Sequence, residues 1–75
     1  MKHNFQVTLE NGERPLVQNI EFTSSLYQAE RVFYALSFAL CFSVCDSLTL
    51  FCGERELLKC VYNHRDQIPT FTKVR

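Results

Sequence analysis

Seventy-five residues make at most one domain, since independent domains usually run to ~100–150 residues. Val, Ile, Leu and Phe fill 24 positions, a share of 32%, well above the ~20% below which chains tend to stay disordered, so a packed core is expected. Eight basic and eight acidic side chains cancel, which removes any whole-chain electrostatic case for nucleic acid or an anionic membrane.

So short a chain buries only ~60% of the surface its unfolded state exposes, and domains of this size often gain stability from a disulfide, a metal or a second copy of themselves. Four cysteines, about 5% of the chain, fall short of the ~8–10% of secreted disulfide scaffolds. The opening Met1-Lys2-His3-Asn4-Phe5-Gln6 has no apolar run behind a basic start, so no signal peptide is expected. Reduced thiols and a cytoplasmic location follow as the expectation. From Val32 to Cys52, 21 residues carry one charge, Asp46, and 16 are apolar or Cys. That matches the length of a spanning helix, but Asp46, Ser47 and Thr49 interrupt it, and Asp near a bilayer centre costs ~2.5–3.5 kcal/mol. The stretch divides better into the end of a helix and a strand.

In chain order, Phe5, Val7 and Leu9 alternate with Gln6, Thr8 and Glu10, the period of a half-buried strand. Asn11-Gly12 then signals a tight hairpin, because a type I′ turn needs positive φ at both central residues. A two-residue loop pairs Glu10 with Glu13, Leu9 with Arg14 and Val7 with Leu16, and sets Leu16, Ile20 and Phe22 on the face of Phe5 and Val7. Gln18 breaks that face and Pro15 cannot donate to a ladder, so the second strand belongs at an edge or beside a bulge. Thr23-Ser24-Ser25 opens a helix over about residues 25–42, with Ser25 and Gln28 at capping-box spacing and Ser24 as the alternative cap. Leu26, Ala29, Phe33, Leu36, Leu40 and Val44 recur at three- and four-residue steps as its core stripe. Ser47 to Cys52 reads as a third strand, Gly53-Glu54-Arg55 as a turn and Glu56 to Asn63 as a fourth strand. A three-residue loop puts Leu48, Leu50 and Cys52 with Leu58, Cys60 and Tyr62; a two- or four-residue loop brings Leu57 and Val61 inward instead. Residues 64–75, with Arg65, Lys73 and Arg75 against Asp66, read as a polar, slightly basic tail, mobile or ordered by a partner. The expected architecture is α+β, a single domain over residues 1–63 in the order ββαββ, with one helix packed on a four-stranded antiparallel sheet.

A lone helix on a sheet should be polar on its far side. Here that side carries Tyr27, Arg31, Tyr34, Phe38 and Phe42, flanked by Cys41 and Cys45, with Gln28, Glu30, Ser37 and Ser43 as slight polar relief. Burying each large aromatic is worth ~1.5–3 kcal/mol, and several left in water side by side mark an interaction surface. Tyr, Phe and Arg are also enriched at interface cores. Either the tail or the second hairpin folds over this face, making it ordinary core, or it is an interface. The interface reading is preferred, with a twofold homodimer first and another protein second.

The chemistry-bearing residues point less clearly. Cys41, Cys45, Cys60 and His64 are metal candidates, with Cys52 the remaining thiol, but the spacing C-x3-C-x6-C-x7-C-x3-H lacks a tight knuckle, and Cys often serves as a small buried hydrophobe. No cofactor is expected. His3 and His64 are the only histidines that could serve a thiol nucleophile, Glu10 and Glu13 flank a hairpin turn, and no GxGxxG, P-loop, HExxH or GxSxG stands in the chain, so enzyme activity is not expected. Phe51 and Tyr62, with Arg55, Lys59 and the basic tail, form an alternative surface on which nucleic-acid bases would stack, against which zero net charge weighs.

A short hairpin with Asn-Gly, a strand running into a Ser/Thr-capped helix (Phe22-Thr23-Ser24-Ser25-Leu26-Tyr27-Gln28-Ala29), a second hairpin and a charged end together resemble small phage or mobile-element accessory proteins, some anti-CRISPR proteins of ββαββ layout among them. The resemblance spans roughly residues 4–63 as a pattern, without a residue-level motif, and the aromatic helix face departs from it. It implies a non-catalytic role: occupying a surface of a larger complex as inhibitor or regulator.

Overall fold

The computed structural model describes residues 2–11, 18–41, 45–63 and 65–74. Its elements are β1 (His3–Glu10), β2 (Gln18–Ser24), α1 (Leu26–Leu40), β3 (Ser47–Cys52), β4 (Arg55–Asn63) and β5 (Ile68–Lys73). One antiparallel sheet has the order β2-β1-β3-β4-β5, and α1 lies across one of its faces. The α+β class is as expected, but the sheet has five strands in the order ββαβββ, not four. The extra strand comes from the segment read as a tail.

β2 and β3 both pair antiparallel with β1, so they run parallel to each other on either side of it. Joining two parallel strands takes a crossover of a dozen or more residues, and the 15-residue α1 is that crossover. It carries the chain over β1 from one flank to the other.

The β1–β2 register differs from the one the Asn-Gly signal implies. Leu9 lies opposite Gln18, Val7 opposite Ile20 and Phe5 opposite Phe22. A two-residue turn at Asn11-Gly12 would place Phe5 opposite Gln18. The observed register instead stacks Phe5 on Phe22, with ring centroids 5.8 Å apart, and pairs Thr8 Oγ1 with Asn19 Oδ1 at 3.0 Å and Thr23 Oγ1 with Asn4 Oδ1 at 2.9 Å. These cross-strand pairs outweigh a local turn preference. The slip is by an even number of residues, so Ile20 and Phe22 still share a face with Val7 and Phe5. Gln18 lies on an edge strand, as expected. Glu13, Arg14, Pro15 and Leu16 lie outside the described residues.

α1 begins where the hydroxyl of Ser25 accepts the Gln28 N–H at 3.3 Å, the N-cap half of the capping box. It ends at Leu40, two residues early, because Cys41 turns to extended backbone while its N–H still reaches the Ser37 carbonyl. The buried stripe is Ala29, Phe33 and Ser37, with Leu36 and Leu40 packed beside it. Leu26, read as core, is half exposed, and Ser37, read as outer-face relief, is fully buried. Its hydroxyl is satisfied by donating to the Phe33 carbonyl at 2.8 Å. Small side chains on either side of Phe33 let the helix approach the sheet while that ring fills the gap. Val44 lies outside the described residues.

The β3–β4 hairpin closes with Cys52 opposite Arg55, a two-residue Gly53-Glu54 loop. Gly53 has φ 65°, the left-handed value that the first loop residue of a type II′ turn requires. Such a loop alone would turn Leu57 and Val61 inward. The ladder then slips, with Phe51 opposite Glu56 but Leu50 opposite Leu58, so Leu57 is an extra residue in β4. That bulge restores the phase: Leu58 and Cys60 are buried against Leu50 and Leu48, and Val61 is exposed.

Asn63 shapes the next turn. Its side-chain oxygen accepts the Arg65 and Asp66 N–H groups at 2.9 and 3.3 Å, and its amide donates to Asp66 Oδ2 at 3.0 Å. β5 then pairs with β4, Phe71 opposite Cys60, and Pro69 is tolerated because β5 is an edge strand. The Val74 N–H closes this pairing on the carbonyl of Leu57.

Two substitutions check these assignments by urea denaturation. Gly53→Ala should cost about 1–2 kcal/mol, since an added methyl meets nothing within 4 Å and the loss comes from positive φ alone. Phe71→Ala should cost about 2 kcal/mol through lost packing, whereas a mobile tail would leave the midpoint unmoved.

Candidate functional site

The helix face away from the sheet is built by the spacing of Tyr27, Arg31, Tyr34 and Phe38 on α1. Tyr27 is 65% exposed, Phe38 70% and Tyr34 38%, and Arg31 is exposed beside them. The Arg31 guanidinium lies 5.7 Å from the centre of the Tyr27 ring and donates to its hydroxyl at 3.3 Å. This cation–π pair draws two amphipathic side chains together on the surface. The fifth residue of the expected set, Phe42, lies outside the described residues.

The segment read as a tail contributes to this face. Phe71 of β5 rises at the edge of the sheet and meets Tyr34 at 5.0 Å, Phe38 at 5.7 Å and Phe33 at 6.4 Å between ring centroids. Its tilted and edge-on contacts join the surface aromatics to the core ring of Phe33. So the C-terminal strand covers one flank of the helix face, and Tyr27 and Phe38 stay in solvent. Phe71 is outside the expected site because the charges of residues 64–75 make that segment read as a polar tail. The signal was there in the alternation of Pro69, Phe71 and the threonines at 70 and 72. Exposed Ala35, next to this row on the helix, leaves room for the backbone of another helix to approach.

The residues of the alternative nucleic-acid surface do not come together. Directly opposed strand residues share a face, so Phe51 and Lys59 lie on the side of the sheet away from α1, with Thr49 and Glu56. Tyr62 packs against the core on the helix side, and Arg55, opposite Cys52, also lies there. Among the described residues no helix or strand covers the far side. Its polar groups serve one another: Gln6 donates to Thr8, which donates to Asn19. Among the described residues no buried side-chain nitrogen or oxygen lacks a hydrogen-bond partner.

Of the metal candidates, Cys41 and Cys60 are adjacent, their sulfurs 3.9 Å apart, and both are buried. Cys45 is also buried, its thiol donating to the Leu40 carbonyl. Burial pushes the Cys45 thiol up, Asp46 and Cys60 add to the shift, and a backbone hydrogen bond from Ser47 opposes it. Cys52 stands at the other end of β3, and His64 lies outside the described residues. Among the described residues no group of three or more His, Cys, Asp or Glu is placed to hold a metal ion, and no helix is long and apolar enough to cross a membrane.

Comparison with known proteins gives no match: no family model, no curated protein and no solved structure is significantly similar to this chain.

Proposed function

We propose that this chain is a small, non-catalytic protein–protein interaction domain that pairs with a second copy of itself through the helix face of Tyr27, Arg31, Tyr34 and Phe38, extended by Phe71. The observation that carries the reading is the pair of large aromatics, Tyr27 and Phe38, left 65% and 70% exposed on one face of a chain too small to waste apolar area. Self-association is favoured because the face is a helix with aromatics beside the small Ala35, a surface that can pack against its own twofold copy. Phe38 of each subunit then buries against the other, and Arg31 stays at the rim over Tyr27.

Light scattering over a dilution series in reducing buffer tests this. The wild type should be a dimer, and Phe38→Asp a monomer with unchanged circular dichroism. Twofold symmetry counts the lost ring twice, so dissociation should rise at least ~100-fold. A variant that unfolds would make the face part of the core and end the proposal. A monomeric wild type would end self-association and leave the face to another protein, the role of inhibitor or regulator that the resemblance to anti-CRISPR proteins implies.

A further inference from the structure

The end of α1 and the middle of β4 bring two thiols together from distant parts of the chain. Cys60, fully buried in β4, directs its S–H at Cys41 Sγ, 3.9 Å away, and Cys41 directs its own at the Asp46 carbonyl, 3.8 Å away. All four cysteines carry thiols. We propose that Cys41 and Cys60 form a redox modification site, a dithiol that hydrogen peroxide converts to an intramolecular disulfide joining α1 to β4.

A disulfide needs the sulfurs to close to ~2.05 Å, a movement of about 2 Å. Cys41 can supply most of it. It is the C-cap residue, in extended backbone beyond the last helical turn, so its side chain can turn toward Cys60 by giving up its contact with the Asp46 carbonyl. It is also the more accessible of the two, 9% exposed against 0% for Cys60. The Cys41 thiolate therefore attacks peroxide first, taking one oxygen to become sulfenic acid and releasing hydroxide. The Cys60 thiolate then attacks that sulfur, the S–S bond forms, and the oxygen leaves as a second hydroxide. The two thiol protons complete two waters, so two thiols are oxidised by two electrons and one peroxide is reduced. Cys45 directs its thiol at the Leu40 carbonyl instead, and burial, with Asp46 and Cys60 nearby, pushes that thiol's pKa up.

The test treats the full chain with hydrogen peroxide under native conditions, blocks remaining thiols by alkylation, and reads intact mass and linkage without reduction. Trypsin with chymotrypsin separates the candidates, because Phe42 lies between Cys41 and Cys45 and Arg55 and Lys59 lie between Cys52 and Cys60. The expected product is a single chain lighter by two hydrogens, with Cys41 linked to Cys60. Its melting temperature should rise by ~10 °C, the effect of closing a loop of this length in a small domain. Cys52→Ser should leave the linkage intact and Cys60→Ser should abolish it. Linkage to Cys45 or Cys52, linkage between chains, sulfinic acid at Cys41 without a disulfide, or a metal ion that co-purifies and protects both thiols would each overturn the proposal. The linkage map is read on wild type, so it stands even if Cys60→Ser fails to fold.

Discussion

One extra residue in β4 decides which way half of this molecule faces. The Gly53-Glu54 loop taken alone would turn Lys59 and Val61 toward the helix and Leu58 and Cys60 toward water. The bulge at Leu57 reverses that. Every side chain after it inherits the corrected phase, and β5, paired to β4, inherits it in turn: Phe71 faces the helix because Cys60 does. The Leu57 carbonyl then holds the end of β5 through Val74. A slip of one residue would turn Leu58 and Cys60 to water, so their burial is what holds the bulge in place.

A second constraint is coverage. One 15-residue helix must shield a five-stranded sheet, and it does so by lying close over β1 and β3. Ala29 and Ser37 permit the approach, and Phe33 fills the space between them. The price is at the margins, where the helix does not reach β5 and an aromatic ring, Phe71, bridges the gap. The surface that results is continuous with the core through Phe33, Phe71 and Tyr34. Its aromatics are therefore held by packing on one side and free on the other.

Elements whose signal is local were legible in the sequence. The alternation of Phe5, Val7 and Leu9, the Ser25 cap and the exposed row of Tyr27, Tyr34 and Phe38 all followed from spacing alone. What was not legible depended on distant partners. The Asn-Gly pair argued for a tight turn, but Phe22 finds Phe5 and Asn19 finds Thr8 only when the strands are set side by side. Leu57 reads as an ordinary strand residue until both ladders are known. β5 lay hidden in a segment whose charges read as a tail, and its Pro69 is tolerated because a missing N–H matters little at an edge. The contact between Cys41 and Cys60 is likewise a product of the helix crossover, and no spacing rule anticipates it.

The placement of β1 has a consequence for how the chain is made. Residues 5–10 acquire their second partner only when residues 47–52 arrive, after the whole helix has been synthesised. Until then the hairpin of β1 and β2 presents an unpaired backbone edge beside the uncovered apolar face of Phe5, Val7 and Leu9, the kind of template on which other strands pair. Pairings so far apart along the chain are slow to close, because the loop entropy comes before any reward. The nascent chain is thus most vulnerable to misassembly on the ribosome, in the interval before α1 delivers β3 to the waiting edge.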